Sequence, residues 1–457
     1  MTVAVDTQDT IAAIATAAGS AGVGIVRVSG PEAWDIAETL SGLTPVHREA
    51  RLATLHDGNG EPLDQALVLA FRAPHSFTGE NIAEFHCHGG PIILNRVLRE
   101  CLHRGARQAQ GGEFTQRAFL NDKIDLVQAE AIADLIASTT EAAARSATRS
   151  LSGAFSQRVD ALFQELVRLR VFVEAAIDFP EEEIDFIAES DVLEQLQSLE
   201  DNLSDLLDTA RRGRRLRDGL KLVIAGAPNA GKSSLLNQLA EQDTAIVTNI
   251  PGTTRDVLRE HIQVDGLPLH IVDTAGLRDA PDEIEREGIR RARLEMDSAD
   301  CILLVVDDSR EPQLATADHL ARHRDDLPPG VPVTLIRNKS DLAGTTPGLA
   351  RDDDTAVVCL SAQSGAGLQD LRQHLLAIAG LASADGSDFS ARERHVLALE
   401  DCADHLERGH AALRHHGAAE LIAEDLRMAQ DSLGTITGRF SSDELLGEIF
   451  SSFCIGK

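Results

Sequence analysis

The sequence predicts a multidomain α/β plus all-α protein: an N-terminal α/β domain, then a helical domain interrupted by a second α/β unit. Three observations carry this. The 457 residues suffice for about three domains at roughly 150 residues each. The hydrophobic pattern changes texture near residue 120, again near 218, and once more near 382. Aromatic residues are only 3% of the chain, with one Trp and no Tyr, so the 43% of hydrophobic residues must build aliphatic, alanine-rich cores, which favours packed helices.

Residues 1–120 alternate short β-like runs (GVGIVRVSG, ALVLAF, IAEFHCHGG) with helical stretches (PEAWDIAETL, PIILNRVLRECLHRG), as an α/β or α+β domain does. From 121 to 217 nearly everything reads as helix. LVQAEAIADLI and VDALFQELVRLRVFVEAAI place apolar residues at intervals of three and four, and Pro180 in DFPEEEIDF breaks that pattern. At Leu220 buried-strand runs begin: LKLVIAG, LHIVDTAG, CILLVVDD, VPVTLIRNK and TAVVCLSA, separated by helical stretches. They predict a parallel sheet with crossover helices over 218–381. ASADGSD then reads as a linker, and 382–457 return to helices in HVLALEDCADHLERGHAAL, AAELIAEDLRMAQDSL and SDELLGEIF. Helices on both sides of a compact α/β unit indicate an insertion, which is tolerated because domain termini often lie close together.

Charge and cysteine usage narrow the partners. Forty-three basic against seventy-three acidic residues give a net charge of −30, so the surface as a whole repels nucleic acid. Any RNA must be held at a local patch or by a more basic partner. The best local patch is ARRGRRLRDGLK, Ala210 to Lys221, whose bland alternative is a solvated helix end beside a linker. The six cysteines form no CxxC pair and no even lattice, which suits reduced thiols in a cytosolic compartment. His86-Cys87-His88 lacks a second ligand pair at zinc-like spacing. No apolar run approaches the roughly 18 residues a membrane span needs, and the N-terminus has no basic region of a secretory signal.

GAPNAGKS, Gly226 to Ser233, is a G-x-x-x-x-G-K-S phosphate loop that follows a strand and opens a helix. Gly226 and Gly231 let the backbone curl so that the loop, from Asn229 and Ala230 to Ser233 and Ser234, turns its N–H groups to phosphates. The helix N-terminus adds a favourable field. Lys232 reaches the β- and γ-phosphates, and the Ser233 hydroxyl ligates Mg2+. NKSD, with Asn338, Lys339 and Asp341, follows a strand at the carboxyl edge where ligands sit in such sheets. The Asp341 carboxylate can accept from both the N1–H and the exocyclic amine of guanine. Adenine offers no such pair, so the site selects GTP. Ser361-Ala362 of SAQ follow the next strand and place a backbone N–H near the guanine oxygen. These spaced elements predict a Ras-like P-loop GTPase domain.

Between them lie the γ-phosphate sensors. Thr254 in PGTTRD is placed to ligate Mg2+. In DTAG, Asp273 stands behind the metal and Gly276 meets the γ-phosphate through a backbone N–H, with Thr274 and Ala275 between them. Such contacts are lost on hydrolysis, giving an order–disorder switch. Many small GTPases orient the attacking water with a glutamine directly after this motif, but here Leu277 stands there and cannot polarise water. The acidic stretch RDAPDEIEREG offers substitutes, unless those acids merely cap a solvated helix from Asp282.

Together GAPNAGKSSLLN, IPGTTRDV, DTAGLRD, NKSD, FTGENIAEFHCHGGP, FLNDKIDLVQAEAIADLI and SSFCIGK resemble the bacterial MnmE tRNA-modification GTPases over essentially the whole chain. FCIGK and FLNDK are far more specific than any GTPase motif. The resemblance implies a homodimer whose GTPase domains meet across a potassium ion, held where an arginine finger would otherwise act. Asn229 would coordinate K+, completed by the carbonyls of Thr248 and Ile250 and by Thr253, with Asn249, Pro251 and Gly252 in the same nucleotide-facing loop. Hard oxygen ligands suit that cation, and fixed positive charge there stabilises the charge of the transition state. Glu285 matches the family's water-positioning glutamate and fills the gap left by Leu277.

The same resemblance implies that the N-terminal domain binds a tetrahydrofolate derivative (5,10-methylene or 5-formyl) and mediates dimerisation. Arg27, Glu84 and Lys123 fall where the family contacts the folate, a carboxylate reading the pterin and cations its glutamate tail. Lys457 joins the same active site. A flavoprotein partner, MnmG (also called GidA), would bring FAD and NADH in a heterotetramer or larger cytoplasmic complex. The two would add an aminomethyl or carboxymethylaminomethyl group to C5 of the wobble uridine of certain tRNAs. GTP hydrolysis would drive domain rearrangement and stay out of the bond-making.

Two rival functions share part of this signal. A ribosome-assembly or translation GTPase acting only as a binding switch would carry every nucleotide motif. Against it stand the acidic surface and the lack of a recognisable RNA-binding module such as a basic GXXG helix pair. A lone hydrolase is disfavoured because HCHGG has no G-x-S-x-G elbow to serve. Cys454, in SSFCIGK, has three readings of its own. A prenyl anchor is opposed by the Gly456-Lys457 ending. A buried helix-end thiol is the bland reading. A functional thiol, brought by a flexible end into a shared active site as nucleophile or redox group, is the preferred one.

Overall fold

The computed structural model describes residues 9–178, 192–241, 259–273, 297, 299–324, 327–382, 389–416, 419–440, 442–451 and 453–456. They fold as two compact units, one drawn from residues 1–133, 151–200 and 401–457, the other from 134–150 and 201–400. The expected break at Pro180 lies outside the described residues.

The first unit contains a six-stranded sheet: β1 (Ile11–Ile14), β2 (Ala21–Ser29), β3 (Ala50–His56), β4 (Pro62–Phe71), β5 (Ile82–Gly89) and β6 (Arg107–Gln108), in the order β3-β4-β5-β2-β1-β6. Neighbours are antiparallel except β1 and β6. Strand alternation decides the faces. Val26, Val28 and Phe85 turn to one side and meet Ile36, Leu40, Leu94 and Val97 of α1 (Ala33–Ser41) and α2 (Pro91–His103) in an aliphatic core. Arg27 and Glu84 point the opposite way. The same alternation separates the members of His86-Cys87-His88: Cys87 is buried in that core, while His88 is exposed and bonded to Asp64. These three side chains do not converge on one metal position.

After α3 (Glu113–Leu120) come the helices read from the three- and four-residue periodicity: α4 (Leu126–Ala137), α5 (Glu141–Leu151), α6 (Ala154–Asp178) and α7 (Val192–Asp218). In the second unit α8 (Lys232–Glu241), α9 (Thr316–Arg322), α10 (Ser340–Ala343) and α11 (Leu368–Ile378) follow. The chain closes with α12 (Glu393–His416), α13 (Ala419–Thr437) and α14 (Asp443–Ser451). In the first unit α6 packs on α13, with Arg170 Nη1 donating to Gln430 Oε1 at 2.6 Å. Leu126 and Ala129 of α4 pack with Leu446, Ile449 and Phe450 of α14. No helix of the described residues is long and apolar enough to cross a membrane.

The second unit is built on seven strands: β7 (Leu220–Ala225), β8 (Arg259–Val264), β9 (Leu267–Asp273), β10 (Cys301–Asp307), β11 (Val333–Asn338), β12 (Gly348–Asp352) and β13 (Thr355–Cys359). Their order is β12-β13-β11-β10-β7-β9-β8. The five inner strands are parallel, and β8 and β12 are antiparallel edges. Inner strands β7 and β10 are apolar apart from Lys221 and the terminal Asp307, because both faces are covered. Leu222, Ile224, Leu303 and Val305 pack with Leu235 and Leu239 of α8 and Leu371 and Leu375 of α11. Val223, Ile302, Leu304 and Leu335 form the core of the opposite face. The sheet expected to be parallel therefore carries two antiparallel edges. β8 and β9 are joined through Asp265-Gly266, at φ 49 and 87, as a two-residue type I′ hairpin requires.

Candidate functional site

The phosphate loop runs from the end of β7 into α8, and its two glycines are demanded by contact. Gly226 has φ 139, and a Cβ there would fall 2.1 Å from the Val305 carbonyl oxygen. Gly231 has φ 98, and its Cβ would fall 2.1 Å from Asn338 Nδ2. Asn229 sits on the exposed crest of the loop at φ 64, a left-handed conformation that asparagine tolerates. Lys232 is buried, with Nζ donating to the carbonyls of Gly226 at 2.8 Å and Ala227 at 3.1 Å. Ser233 and Ser234 are exposed in the first turn of α8, beside its unpaired N–H groups.

Parallel strands β10 and β11 end side by side, Asp307 paired in register with Asn338. Asn338 is buried and ties two loops together. Its Nδ2 donates to the Ala230 carbonyl at 2.9 Å, and its Oδ1 accepts from the N–H of Lys339 at 2.8 Å and of Ala362 at 2.9 Å. Lys339, at φ 66, swings its ammonium to Asp307 Oδ2 at 2.6 Å. Burial alone would raise the Asp307 carboxyl, but Lys339 and Ser309 more than offset this and hold it below the ordinary carboxylate range. Asp341, one turn on in α10, is exposed at the same edge. The N–H of Ser361 donates to Ala366 O at 2.9 Å, which closes the loop after β13. Residues 229–234, 338–341 and 361–362 are thus gathered at one carboxyl edge of the sheet, as the motifs require. Asp307 and Val305 were not singled out by the sequence. The DD that closes CILLVVDD was the available signal for Asp307.

Thr248, Asn249, Ile250, Pro251, Gly252, Thr253 and Thr254 lie outside the described residues, as do Thr274, Ala275, Gly276, Leu277, Asp282 and Glu285. Asp273 is described only as the last residue of β9.

In the first unit, Arg27 and Glu84 are cross-strand partners on β2 and β5, joined Nε to Oε1 at 2.8 Å. The Arg27 guanidinium lies 5.7 Å from the ring centres of both Phe77 and Phe114. Glu84 Oε2 is 3.2 Å from His86 Nε2. Lys123 Nζ donates to Pro74 O at 3.0 Å, and its stem lies against Gly79, so it borders the loop that carries Phe77. The C-terminal tail docks on this unit as well. Gly112 N–H donates to the Cys454 carbonyl at 3.3 Å, and Ile455 forms a bridge with Gly111. A Cβ on Gly456 would meet Ile14 O at 2.3 Å. Ile14 follows Ala13, the cross-strand partner of Arg27 on β1. Cys454 itself is exposed, so the bland reading of a buried helix-end thiol is corrected: the residue follows α14 and faces solvent. Lys457 lies outside the described residues.

The basic run Ala210–Lys221 is not a free anion patch. Arg211 binds Glu400 at 2.7 Å, Arg214 binds Glu393, and Arg217 binds Asp134 at 2.8 Å. Arg215 Nη1 donates to the Ile378 carbonyl at 2.6 Å. These arginines are spent on acidic and carbonyl partners of the same unit, which also corrects the reading of a merely solvated helix end.

Residues 126–454 match the family model for the MnmE helical domain, and residues 10–123 that for the GTP-binding protein TrmE N-terminus. The chain is 56% identical over 451 residues to the tRNA modification GTPase MnmE of Stutzerimonas stutzeri (strain A1501), covering 98% of this chain and 99% of that protein. It is 56% identical over 455 residues to that of Marinobacter nauticus, and 55% identical over 451 residues to that of Pseudomonas paraeruginosa, with the same coverage in each case. Among solved structures, the G domain of the T. maritima iron transporter FeoB aligns at 25% identity with a TM-score of 0.26, covering 35% of this chain and 98% of that one.

Proposed function

Because this chain belongs to the MnmE family of tRNA modification GTPases, we propose that its GTP hydrolysis depends on potassium and serves wobble uridine modification. With a flavoprotein partner, MnmG (GidA), it adds an aminomethyl or carboxymethylaminomethyl group to C5 of that uridine in certain tRNAs. The single observation that supports the nucleotide half best is the tie made by Asn338 between Ala230 and Ala362. It ties the phosphate loop to the base-reading loops, so both halves of the nucleotide site share one buried anchor.

Each residue then has a task. Asp341 accepts from the guanine N1–H and amine. Lys232, whose Nζ sits at the carbonyls of Gly226 and Ala227, serves the β- and γ-phosphates. The residues present suit two cations: Ser233 offers an exposed hydroxyl and Asn229 an exposed side-chain oxygen, both hard donors at the lip of the loop. Ser233 with Thr254 would hold Mg2+, and Asn229 with Thr248, Ile250 and Thr253 would hold K+. Bound there, the cations supply fixed positive charge beside the transferring phosphoryl group. Glu285 orients the attacking water, and Asp273 and Gly276 sense the γ-phosphate.

The Arg27–Glu84 pair, flanked by Phe77 and Phe114, suits a flat heteroaromatic ring with N–H donors, which is what a tetrahydrofolate derivative presents. Glu84 accepts from the ring, and Lys123 and Lys457 serve the anionic tail. The folate supplies the one-carbon unit when bound, and Cys454 is the thiol available to the modification. FAD and NADH belong to the partner, which also provides the basic surface that a chain of charge −30 lacks. The protein works as a cytoplasmic homodimer inside a heterotetramer or larger assembly.

The test is reconstitution with the flavoprotein, tRNA, GTP and a reduced folate, in potassium or in sodium buffer. We expect GTP hydrolysis and modified uridine in potassium and neither in sodium. Hydrolysis in potassium without any modified uridine would favour a GTPase acting only as a binding switch and would refute the proposal.

A further inference from the structure

The second unit contains an elbow, residues 137–143, where α4 gives way to α5, and two features of the GTPase sheet grip it from different sides. The first is a clamp centred on Asp134, in the last turn of α4 and buried. Its Oδ1 accepts from Arg217 Nε at 2.8 Å and from Arg392 Nη2 at 2.7 Å, and its Oδ2 accepts from Ser390 Oγ at 2.9 Å. Arg217 stands three residues before β7, where the chain enters the sheet, and Ser390 and Arg392 stand where the chain has left it. One carboxylate therefore holds both crossings. Ser390 N–H donates to Ser146 O at 3.2 Å, and Ser150 Oγ donates to Ser390 O at 2.8 Å, which fastens α5 to the exit crossing. Gly213 is demanded there as well, since a Cβ would fall 1.8 Å from the Phe389 carbonyl oxygen.

The second feature is the β8–β9 hairpin. β8 follows the segment that carries Thr248–Thr254, and β9 ends on Asp273 of DTAG, so both strands run directly into the γ-phosphate-sensing segments. The hairpin tip meets α5: a Cβ on Gly266 would lie 3.0 Å from Ala142 Cβ. A cleft of about 480 Å³, lined by Thr139, Glu141, Arg145, Gln263 and Asp265, opens beside that contact. A cavity of about 110 Å³, lined by Asp134, Ser138, Ser146, Arg217 and Ser390, lies on the clamp side. The elbow thus has a driver, a fixed point, and space on both flanks to move.

Resting on the proposed GTP-driven modification, we propose that Asp134 is a positioning residue that converts movement of the β8–β9 hairpin into movement of the elbow. With the crossings clamped, a push at Ala142 displaces the α4–α5 turn; unclamped, the whole sheet recoils and the push is lost.

Hydrogen exchange on the full-length protein tests the relay directly, with GDP and with a non-hydrolysable GTP analogue. In the wild type the Ala144 amide, bonded to Thr140 O at 3.0 Å, should change its exchange rate by about tenfold between the two nucleotides. Asp134→Asn should abolish that difference while keeping GTP turnover within about twofold, and should lower uridine modified per GTP hydrolysed by about tenfold. Asp134→Glu should restore part of both. If Asp134→Asn is poorly folded, Ser390→Ala, which removes only one hydrogen bond, should show a smaller loss in the same direction. A wild-type elbow indifferent to nucleotide, or an equal response in Asp134→Asn, overturns the proposal. Should the wild type modify no tRNA while the exchange result holds, the proposed function fails and the relay stands.

Discussion

Gly231 and Asn338 fit into one another's space: a Cβ on residue 231 would sit 2.1 Å from Asn338 Nδ2, the atom that donates to the neighbouring Ala230 carbonyl. The phosphate loop can close on the base-reading strand only because residue 231 has no side chain. Asn338→Ala should therefore damage the phosphate site although it lies in the guanine motif. It leaves the Ala230 carbonyl and the Ala362 N–H without their partner, a cost of about 1–3 kcal/mol per buried group. We expect GTP affinity, read by titration with a fluorescent GTP, to fall by at least about tenfold. Unchanged affinity would mean that the tie is incidental.

Asp341 should set base choice. An asparagine there loses one acceptor and gains a donor, which matches the 2-oxo group of xanthine better than the amine of guanine. Asp341→Asn should lose GTP hydrolysis and hydrolyse XTP, a change of about a hundredfold or more in relative kcat/KM for a mismatched hydrogen-bond partner. Competition kinetics with the two nucleotides decides it.

A charge cluster in the first unit governs acid stability. Arg117 is fully buried and binds Glu113, Glu80 and Asp9. Burial alone would raise the Glu113 and Asp9 carboxyls, but hydrogen bonds and charge from Arg107 and Arg117 outweigh it and hold both low. A carboxyl lower in the folded than in the unfolded chain stabilises the fold above its unfolded value and loses that contribution as pH falls through the folded value. Stability of this unit should be level down to about pH 4.5 and decline below it. Arg117→Met should cost about 3–5 kcal/mol by stranding buried carboxylates. Denaturant unfolding as a function of pH measures both.

Much of this was legible in the sequence, and the unread part has a physical reason. LKLVIA and CILLVV are apolar runs broken only by Lys221, the pattern a strand covered on both faces needs, and they form β7 and β10. Helical periodicity announced α6 and α13 in the same way. The edges were harder. β8 reads REHIQV, with no apolar run, because one side of an edge strand is open, although the following Asp-Gly turn was a usable signal. The clamp could not be read at all. Arg217 stands in a run of arginines that resembles an anion patch, and its partner Asp134 lies 83 residues away. Likewise resemblance alone points to Arg27 and Glu84, and only the β2–β5 register shows that they are cross-strand partners.

Cys454 should stand apart from the other thiols. It is exposed, whereas Cys87, Cys101, Cys301 and Cys402 are buried. Burial pushes the Cys87 and Cys402 thiols up to about 12 and raises Cys101 and Cys301 as well, so little thiolate exists to react. Alkylation of the native protein near pH 8, followed by peptide mass spectrometry, should label Cys454 first, with half-exposed Cys359 slower. Equal labelling of the buried thiols would contradict this packing.

On the function proposed above, GTP turnover by this chain drives modification of the wobble uridine. The most direct test is nucleoside mass spectrometry of bulk tRNA from a strain lacking the gene, complemented with the wild type or with Glu285→Ala. The wild type should restore the modified uridine, and Glu285→Ala, expected to keep GTP binding and lose most hydrolysis, should not. Restoration by Glu285→Ala despite that loss of hydrolysis, or by neither gene, would contradict that function.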